Sequence, residues 1–383
     1  MVRDANNAVT RRSFLGMCAG SSAIGMMALL SGCGSQGGQE PATGGSSSSA
    51  VVGESSVDAA ATSEPVAPAA AESATDIESA TATDEPLSTT FFAFDTVITL
   101  TAYCTQEALD AAVDRCGYFE SIFSRTIETS DIGRINAAQG ASVQVAPETA
   151  DIVAKALAYC EESGGLFDIT IGAVSSLWDF KEGVVPDSDE LAEAVKHVDY
   201  RCVQVEGDTI TLADPDAKLD LGGIAKGYIA DDLCELFAQM GCESGLVNLG
   251  GNVKTIGRKP DGRPWRVGIQ DPNDVQGTVI AAVSSEGTSV VTSGLYERQF
   301  ELDGQRYWHI LDPSTGYPVQ TDLVSASIMS DASIDGDGYT KPLFMMGCDE
   351  ALAWINAHDG LEGLLVDMDG TIMQSDGCNA ELL

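Results

Sequence analysis

Residues 291–318 read VTSGLYERQFELDGQRYWHILDPSTGYP. Two strand-like stretches, 296–300 and 306–311, flank Asp303-Gly304, a dipeptide that favours a two-residue hairpin turn. Beyond them, Asp312-Pro313-Ser314-Thr315-Gly316-Tyr317-Pro318 combines prolines that fix φ with a glycine that permits positive φ, as a rigid loop requires. His309, one of three histidines in the chain, falls on the second strand directly before this loop. A histidine so placed is held rather than left to wander, and its ring suits proton transfer near neutral pH. The other reading is a structural hairpin around a satisfied histidine.

Working outward, strands and helices come in no strict alternation. Residues 91–103 alternate as a strand. Residues 106–123 carry Leu109, Val113, Cys116 and Phe119 at helical spacing, and 147–162 read as another helix. Short strands follow at 202–205 and 209–212, then a helix over 224–240 ended by Gly241. Strands run between 244 and 330, helices are expected at 338–346 and 350–357, and a last hairpin turns at Asp369-Gly370. Many strands with segregated helices indicate an α+β layered fold.

This folded unit is expected over residues 89–383. Residues 1–32 contain Thr10-Arg11-Arg12-Ser13-Phe14-Leu15 and a short apolar run, the pattern of a twin-arginine export signal. Leu30-Ser31-Gly32-Cys33 resembles a lipobox, so Cys33 is the expected lipidated first residue of an extracytoplasmic, membrane-anchored protein. Residues 33–88 are rich in Ser, Ala, Thr and Gly; from Gly34 onward they hold nine acidic residues and no basic one. That composition cannot form a core and reads as a disordered tether.

The formal charge of −38 argues against a nucleic-acid partner, because phosphate backbones bind basic patches. A small anion can still be held locally by backbone amides, a metal and a few Lys or Arg. Of ten cysteines, Cys18 leaves with the leader and Cys33 takes the lipid. The remaining eight form no CxxC pair and read as buried thiols.

Four segments carry candidate chemistry. In Lys218-Leu219-Asp220-Leu221-Gly222-Gly223-Ile224-Ala225-Lys226-Gly227 a strand ending in Asp220 leads through Gly222 and Gly223 to a helix N-terminus, where free N–H groups favour phosphate and Lys226 adds a charge. The alternative is a plain glycine-rich turn. Asn248-Leu249-Gly250-Gly251-Asn252 is a double-glycine kink in a strand, either a bulge or a place for close approach. Residues 330–347 hold Asp331, Asp335 and Asp337 before Tyr339, Thr340 and Lys341; these oxygens suit a hard cation, or simply cap a helix. Residues 123–136, FSRTIETSDIGRIN, have the polar spacing of a loop entering a helix, with Ser130 as a cap.

Together these segments resemble the ApbE family, the FAD:protein FMN transferases. The resemblance runs in order through FDTVITLTAY, FSRTIETSDIGRIN, GLFDITIGAVSSLWDF, KLDLGGIAKGY, LVNLGGNV, TSGLYERQF, HILDPSTGYP and the Asp337 segment. It implies one T-fold-like α+β domain in which FAD binds with Mg²⁺ and is cleaved at its pyrophosphate. FMN passes to a Thr or Ser hydroxyl of an exported acceptor flavoprotein or electron-transfer subunit, and AMP leaves. It further implies metal contacts from Asp337, the Gly223 carbonyl and Thr340, an FAD contact from Lys226, and His309 as the base. Thr126, Asp220, Gly222, Gly250, Gly251, Ser293, Asp312 and Thr315 are the implied pocket. Two positions depart from the family pattern. Lys341 stands where many relatives have the metal-binding threonine, with Thr340 one residue earlier, and Thr126 stands where transferring relatives often have tyrosine. An FAD pyrophosphatase and a non-catalytic FAD-binding lipoprotein are the alternatives.

Overall fold

The computed structural model describes residues 85–274 and 278–383. The expected leader, Cys33 and the tether as far as residue 84 lie outside the described residues.

The fold is α+β. Its centre is an eight-stranded sheet in the order Leu87–Ala93, Thr96–Ala102, Gly245–Leu249, Asn252–Ile256, Ser289–Gly294, Leu323–Ser330, Glu362–Asp367 and Ile372–Gln374. All neighbours are antiparallel. The first two strands correct the expectation of one strand over 91–103. The chain turns back at Phe94 and Asp95, both at positive φ, and Glu120 accepts the Phe94 N–H at 3.1 Å. A turn made without glycine leaves the alternating pattern unbroken in the sequence, so only pairing reveals it. The Gly250-Gly251 pair is likewise not a kink within a strand. It is the turn of the hairpin joining Gly245–Leu249 to Asn252–Ile256. Both residues sit at positive φ, 65° and 94°, as a tight turn matched to the twist of its strands demands.

Because side chains alternate across a strand, the sheet has two buried faces. A three-stranded sheet of Trp265–Gln270, Val279–Ser285 and Glu381–Leu382 covers one. There Val267, Ile269 and Val283 pack with Val290, Leu364 and Val366. Helices α1 (Gln106–Phe123), α6 (Ala225–Gln239), α7 (Ser333–Met346) and α8 (Cys348–Asn356) cover the other; α2 (Asp131–Ala137) and α3 (Pro147–Glu162) join the apolar cluster of α1, and α4 (Gly172–Ser175) and α5 (Ser188–Val195) form a separate one around Trp178. Phe119 of α1 and Phe237 of α6 join Ile98, Leu100 and Val247 in one cluster. Phe344 of α7 and Ile355 of α8 join Ile328 and Leu365 in a second. Among the described residues, no helix is long and apolar enough to cross a membrane.

Helix α7 begins at Ser333, five residues before the expected start, so Asp335 and Asp337 lie inside the helix rather than ahead of it. Its glycines and aspartates are weak helix formers, and packing overrides that weakness. A Cβ on Gly336 would strike Val291, and one on Gly338 would lie 2.6 Å from the Tyr159 ring. Backbone meets backbone at α6, where a Cβ on Gly227 would stand 2.5 Å from the Ser333 carbonyl oxygen and 2.6 Å from Ile334 Cα. Gly227→Ala therefore forces the two helices apart. Urea unfolding should show a loss of about 1–3 kcal/mol, the usual range for overpacking; wild-type stability would mean that the helices can separate freely.

Candidate active site

Helices α6 and α7 cap each other. The first N–H groups of an α-helix have no partner within it. At α7, Ser333 and Ile334 donate to Asp231 of α6 at 2.8 and 2.9 Å. At α6, Gly227 donates to Asp337 of α7 at 2.7 Å. The helix N-terminus that the sequence offered to a phosphate thus carries a carboxylate from its own chain, and Asp337 caps a helix other than the one it belongs to.

The second oxygen of Asp337 accepts the Lys341 ammonium at 2.9 Å. These residues stand four apart and therefore share one face of α7. Burial alone would push the Asp337 carboxyl up. The charges of Lys341 and Lys226 and the two hydrogen bonds outweigh it and hold the group below the usual carboxylate range. Burial pulls the Lys341 ammonium below the range of a free lysine, while Asp337 pushes back.

His309 lies one residue beyond the strand Gln305–Trp308, not on it. The Asp303-Gly304 turn forms as expected, with both residues at positive φ. The His309 N–H donates to the Arg298 carbonyl at 3.0 Å. The His309 ring nitrogen Nδ1 is buried and has no hydrogen-bond partner. Burial, with the positive charges of Arg298, Lys341 and Lys226, pushes the imidazole down to about 3. Electrostatically, then, His309, Lys226, Lys341, Asp337 and Glu297 form one group, and its histidine is neutral.

The divalent metal site implied by the family resemblance does not fit these side chains. Both Asp337 oxygens are engaged. Thr340 is turned away, its buried hydroxyl 3.0 Å from Ser293 Oγ and donating to the Asp337 carbonyl at 3.3 Å. The position beside the carboxylate holds an ammonium, and the Lys341 stem lies 3.7 Å from where a Cβ on Gly223 would be. A hard cation needs oxygen ligands there. Three residues beyond Asp337 the Thr340 hydroxyl meets the sheet, and the fourth residue, Lys341, faces the carboxylate.

Asp220 is a second node. The expected strand before it is a single parallel bridge, Ile171 to Lys218. Asp220 Oδ1 accepts the Gly222 N–H at 2.9 Å, and Oδ2 accepts Ser175 at 2.7 Å and lies 3.1 Å from Arg125 Nε. Arg125 ties the Thr126 loop to this turn; Thr126 itself is exposed, with its hydroxyl 3.0 Å from Ser124 Oγ. Asn136 pins the same segment through its donation to and acceptance from Leu219, at 2.9 and 2.7 Å. Asp312 and Thr315 border an open cleft of about 510 Å³ together with Gly164, Gly165 and Met345. Asp312 holds its loop by accepting Ser314 N–H and O–H at 2.8 and 2.7 Å. Gly316 and Trp178 lock the loop from beneath, with the Trp178 indole donating at 3.0 Å to the Gly316 carbonyl. Gly250 packs against Thr96 and is accounted for by its turn.

Residues 94–365 match the pattern of the ApbE family, a span that contains the carboxylates, the lysines and the hairpin histidine. This chain belongs to the ApbE family. A Treponema pallidum protein named FAD:protein FMN transferase is 37% identical over 276 residues, which cover 67% of this chain and 76% of that one. One from Escherichia coli K12 with the same name is 32% identical over 260 residues, covering 66% and 74%. The crystal structure of the ApbE protein of Thermotoga maritima aligns with a TM-score of 0.71 at 31% identity, covering 76% of this chain and 97% of that one. That of the Pseudomonas stutzeri flavinyl transferase ApbE, apo form, gives 0.68 at 26% identity, covering 76% and 95%.

Within this ApbE domain, sequence reasoning missed Arg125 and Ser175 on Asp220, and Asp231 as the cap of α7. Arg125 had a signal, being one of only 20 basic residues against 58 acidic ones. Asp231 had none, because its partners lie about a hundred residues away. The depressed His309 has a direct consequence: its ring proton signals in NMR should show no inflection between about pH 5 and 8. A titration near the value of a free histidine would mean that the ring is open to water.

Proposed function

We propose that this chain transfers FMN from FAD to a Thr or Ser hydroxyl of an exported acceptor and releases AMP. The observation that carries this reading is the grouping of two ammonium groups with a neutral histidine at the N-terminus of α6, in a chain whose relatives bear the name FAD:protein FMN transferase. Phosphoryl transfer needs positioning and neutralisation of charge more than covalent help from the protein. The acceptor oxygen bonds to the FMN phosphorus as its proton passes to His309. The P–O bond to the AMP phosphate breaks, and AMP leaves with the bonding pair. His309 is neutral before the reaction, and the negative charge of bound FAD phosphates offsets the cations that hold its ring down, so that it can take that proton. Lys226 neutralises phosphate oxygens, and Asp220, Gly222 and Gly223 hold the turn that starts α6. Ser293, Asp312 and Thr315 shape the surroundings, and Thr126 borders the flavin. Magnesium, which the resemblance also implies, has no step here because the donor set does not accommodate it.

The leader-like residues 1–32 and Cys33 support an extracytoplasmic protein held by lipid, with the tether spacing the enzyme from the membrane. Acceptors are then exported flavoproteins or electron-transfer subunits.

The test incubates the full chain with FAD and a peptide bearing Asp-x-x-Ser/Thr-Gly-Ala-Thr, and follows peptide mass and AMP. An FMN-sized gain matched by AMP is expected. AMP without the gain would make the chain a pyrophosphatase, and bound FAD with neither product would make it a binding protein. His309→Ala should slow transfer about 10²–10⁴-fold, the usual worth of general base catalysis, while FAD affinity changes little. Equal loss of binding would reduce His309 to a pocket residue.

A further inference from the structure

The ammonium of Lys341 stands where a metal-assisted site would need a neutral oxygen. Its Nζ is 2.9 Å from Asp337 Oδ1, and its side chain is only 19% exposed, against 1% for Asp337. Its stem runs beside Gly223 in the turn that opens α6. Lys226 lies close enough for its charge to act on the same carboxylate. Glu297 acts on the same two lysines, so Asp337 and Glu297 together balance the two ammonium groups, and it is the placement of Lys341 beside Gly223, not a net excess of charge, that suits an anionic ligand. A buried pair that served stability alone would need one cation, and a close-packed apolar pair would often serve as well.

We propose that Lys341 is a built-in replacement for the divalent cation: with Lys226 it holds the pyrophosphate of the flavin dinucleotide beside the Gly222-Gly223 turn, so that FAD binding does not require a divalent metal. The proposal rests on the flavin reading above. When the acceptor oxygen bonds to the FMN phosphorus and the bridging P–O bond breaks, negative charge grows on the departing AMP phosphate, next to this ammonium. Asp337 positions Lys341: one of its oxygens accepts the Gly227 N–H at the helix end and the other accepts the lysine ammonium.

The test measures FAD binding by flavin fluorescence with the full chain, in EDTA and in excess Mg²⁺, alongside Mn²⁺ binding followed by electron paramagnetic resonance. Wild type should bind FAD with affinities within about threefold in the two buffers, a difference well under that of one lost charged contact, and should leave Mn²⁺ unbound. Lys341→Thr should lose at least about tenfold in EDTA, the cost of one charge-assisted contact, then regain affinity with Mg²⁺ and bind Mn²⁺. Lys341→Gln, which supplies neither charge nor a well-placed hydroxyl, should lose the same affinity without recovery. Thermal unfolding of each variant separates lost binding from lost fold. Stoichiometric Mn²⁺ on wild type, Mg²⁺-dependent FAD binding by wild type, or unchanged EDTA affinity in both folded variants would overturn the proposal. Wild type that binds no FAD in either buffer would sink the flavin reading itself, and this proposal with it.

Discussion

Two helices that begin on each other's carboxylates hold this site together. Asp231 of α6 receives the first N–H groups of α7, and Asp337 of α7 receives the Gly227 N–H of α6. Each cap satisfies a donor that would otherwise be stranded at a buried helix end. Neither helix can shift without exposing the other's terminus, so their crossing is fixed, and Gly227 is small enough to let it close. The sheet depends on the same crossing: Val291 and Ser293 point from one strand into α7, one against Gly336 and the other toward Thr340. Asp337, Thr340 and Lys341 are placed by this junction.

That junction also sets the electrostatics. Net charge governs solubility and long-range repulsion, whereas a site responds to its own few groups. Here burial, with the charges of Arg298, Lys341 and Lys226, keeps His309 neutral, while the two lysines keep Asp337 ionised despite its burial. A strongly acidic protein can therefore place two ammonium groups where an anionic ligand would meet them. The hairpin Gln299–Leu302 and Gln305–Trp308, with the loop locked by Asp312, Gly316 and Trp178, brings the histidine to that locus from the far side of the chain.

The family resemblance was readable because motifs such as LDLGGIAKG and HILDPSTGYP combine turn glycines, a carboxylate and a histidine at set spacings. The Asp303-Gly304 hairpin and the helices α1 and α3 were readable from local period and turn chemistry alone. The turn at Phe94-Asp95 was not, since it uses no glycine. The start of α7 was not either: its poor intrinsic propensity is overcome by caps and contacts that belong to α6, α3 and the sheet.

By itself, the sequence determined the α+β class, the identity of the charged and turn residues, and the departure at Lys341, all of which are properties of composition and local spacing. Only the tertiary structure decided that Asp337 caps α6, that Thr340 faces Ser293 while Lys341 faces the carboxylate, and that Gly250 and Gly251 make a turn. Those outcomes depend on which groups meet across a hundred residues of chain, and on which face of a helix is turned to the sheet. Local pattern does not encode such meetings; the packing of α6 on α7 does.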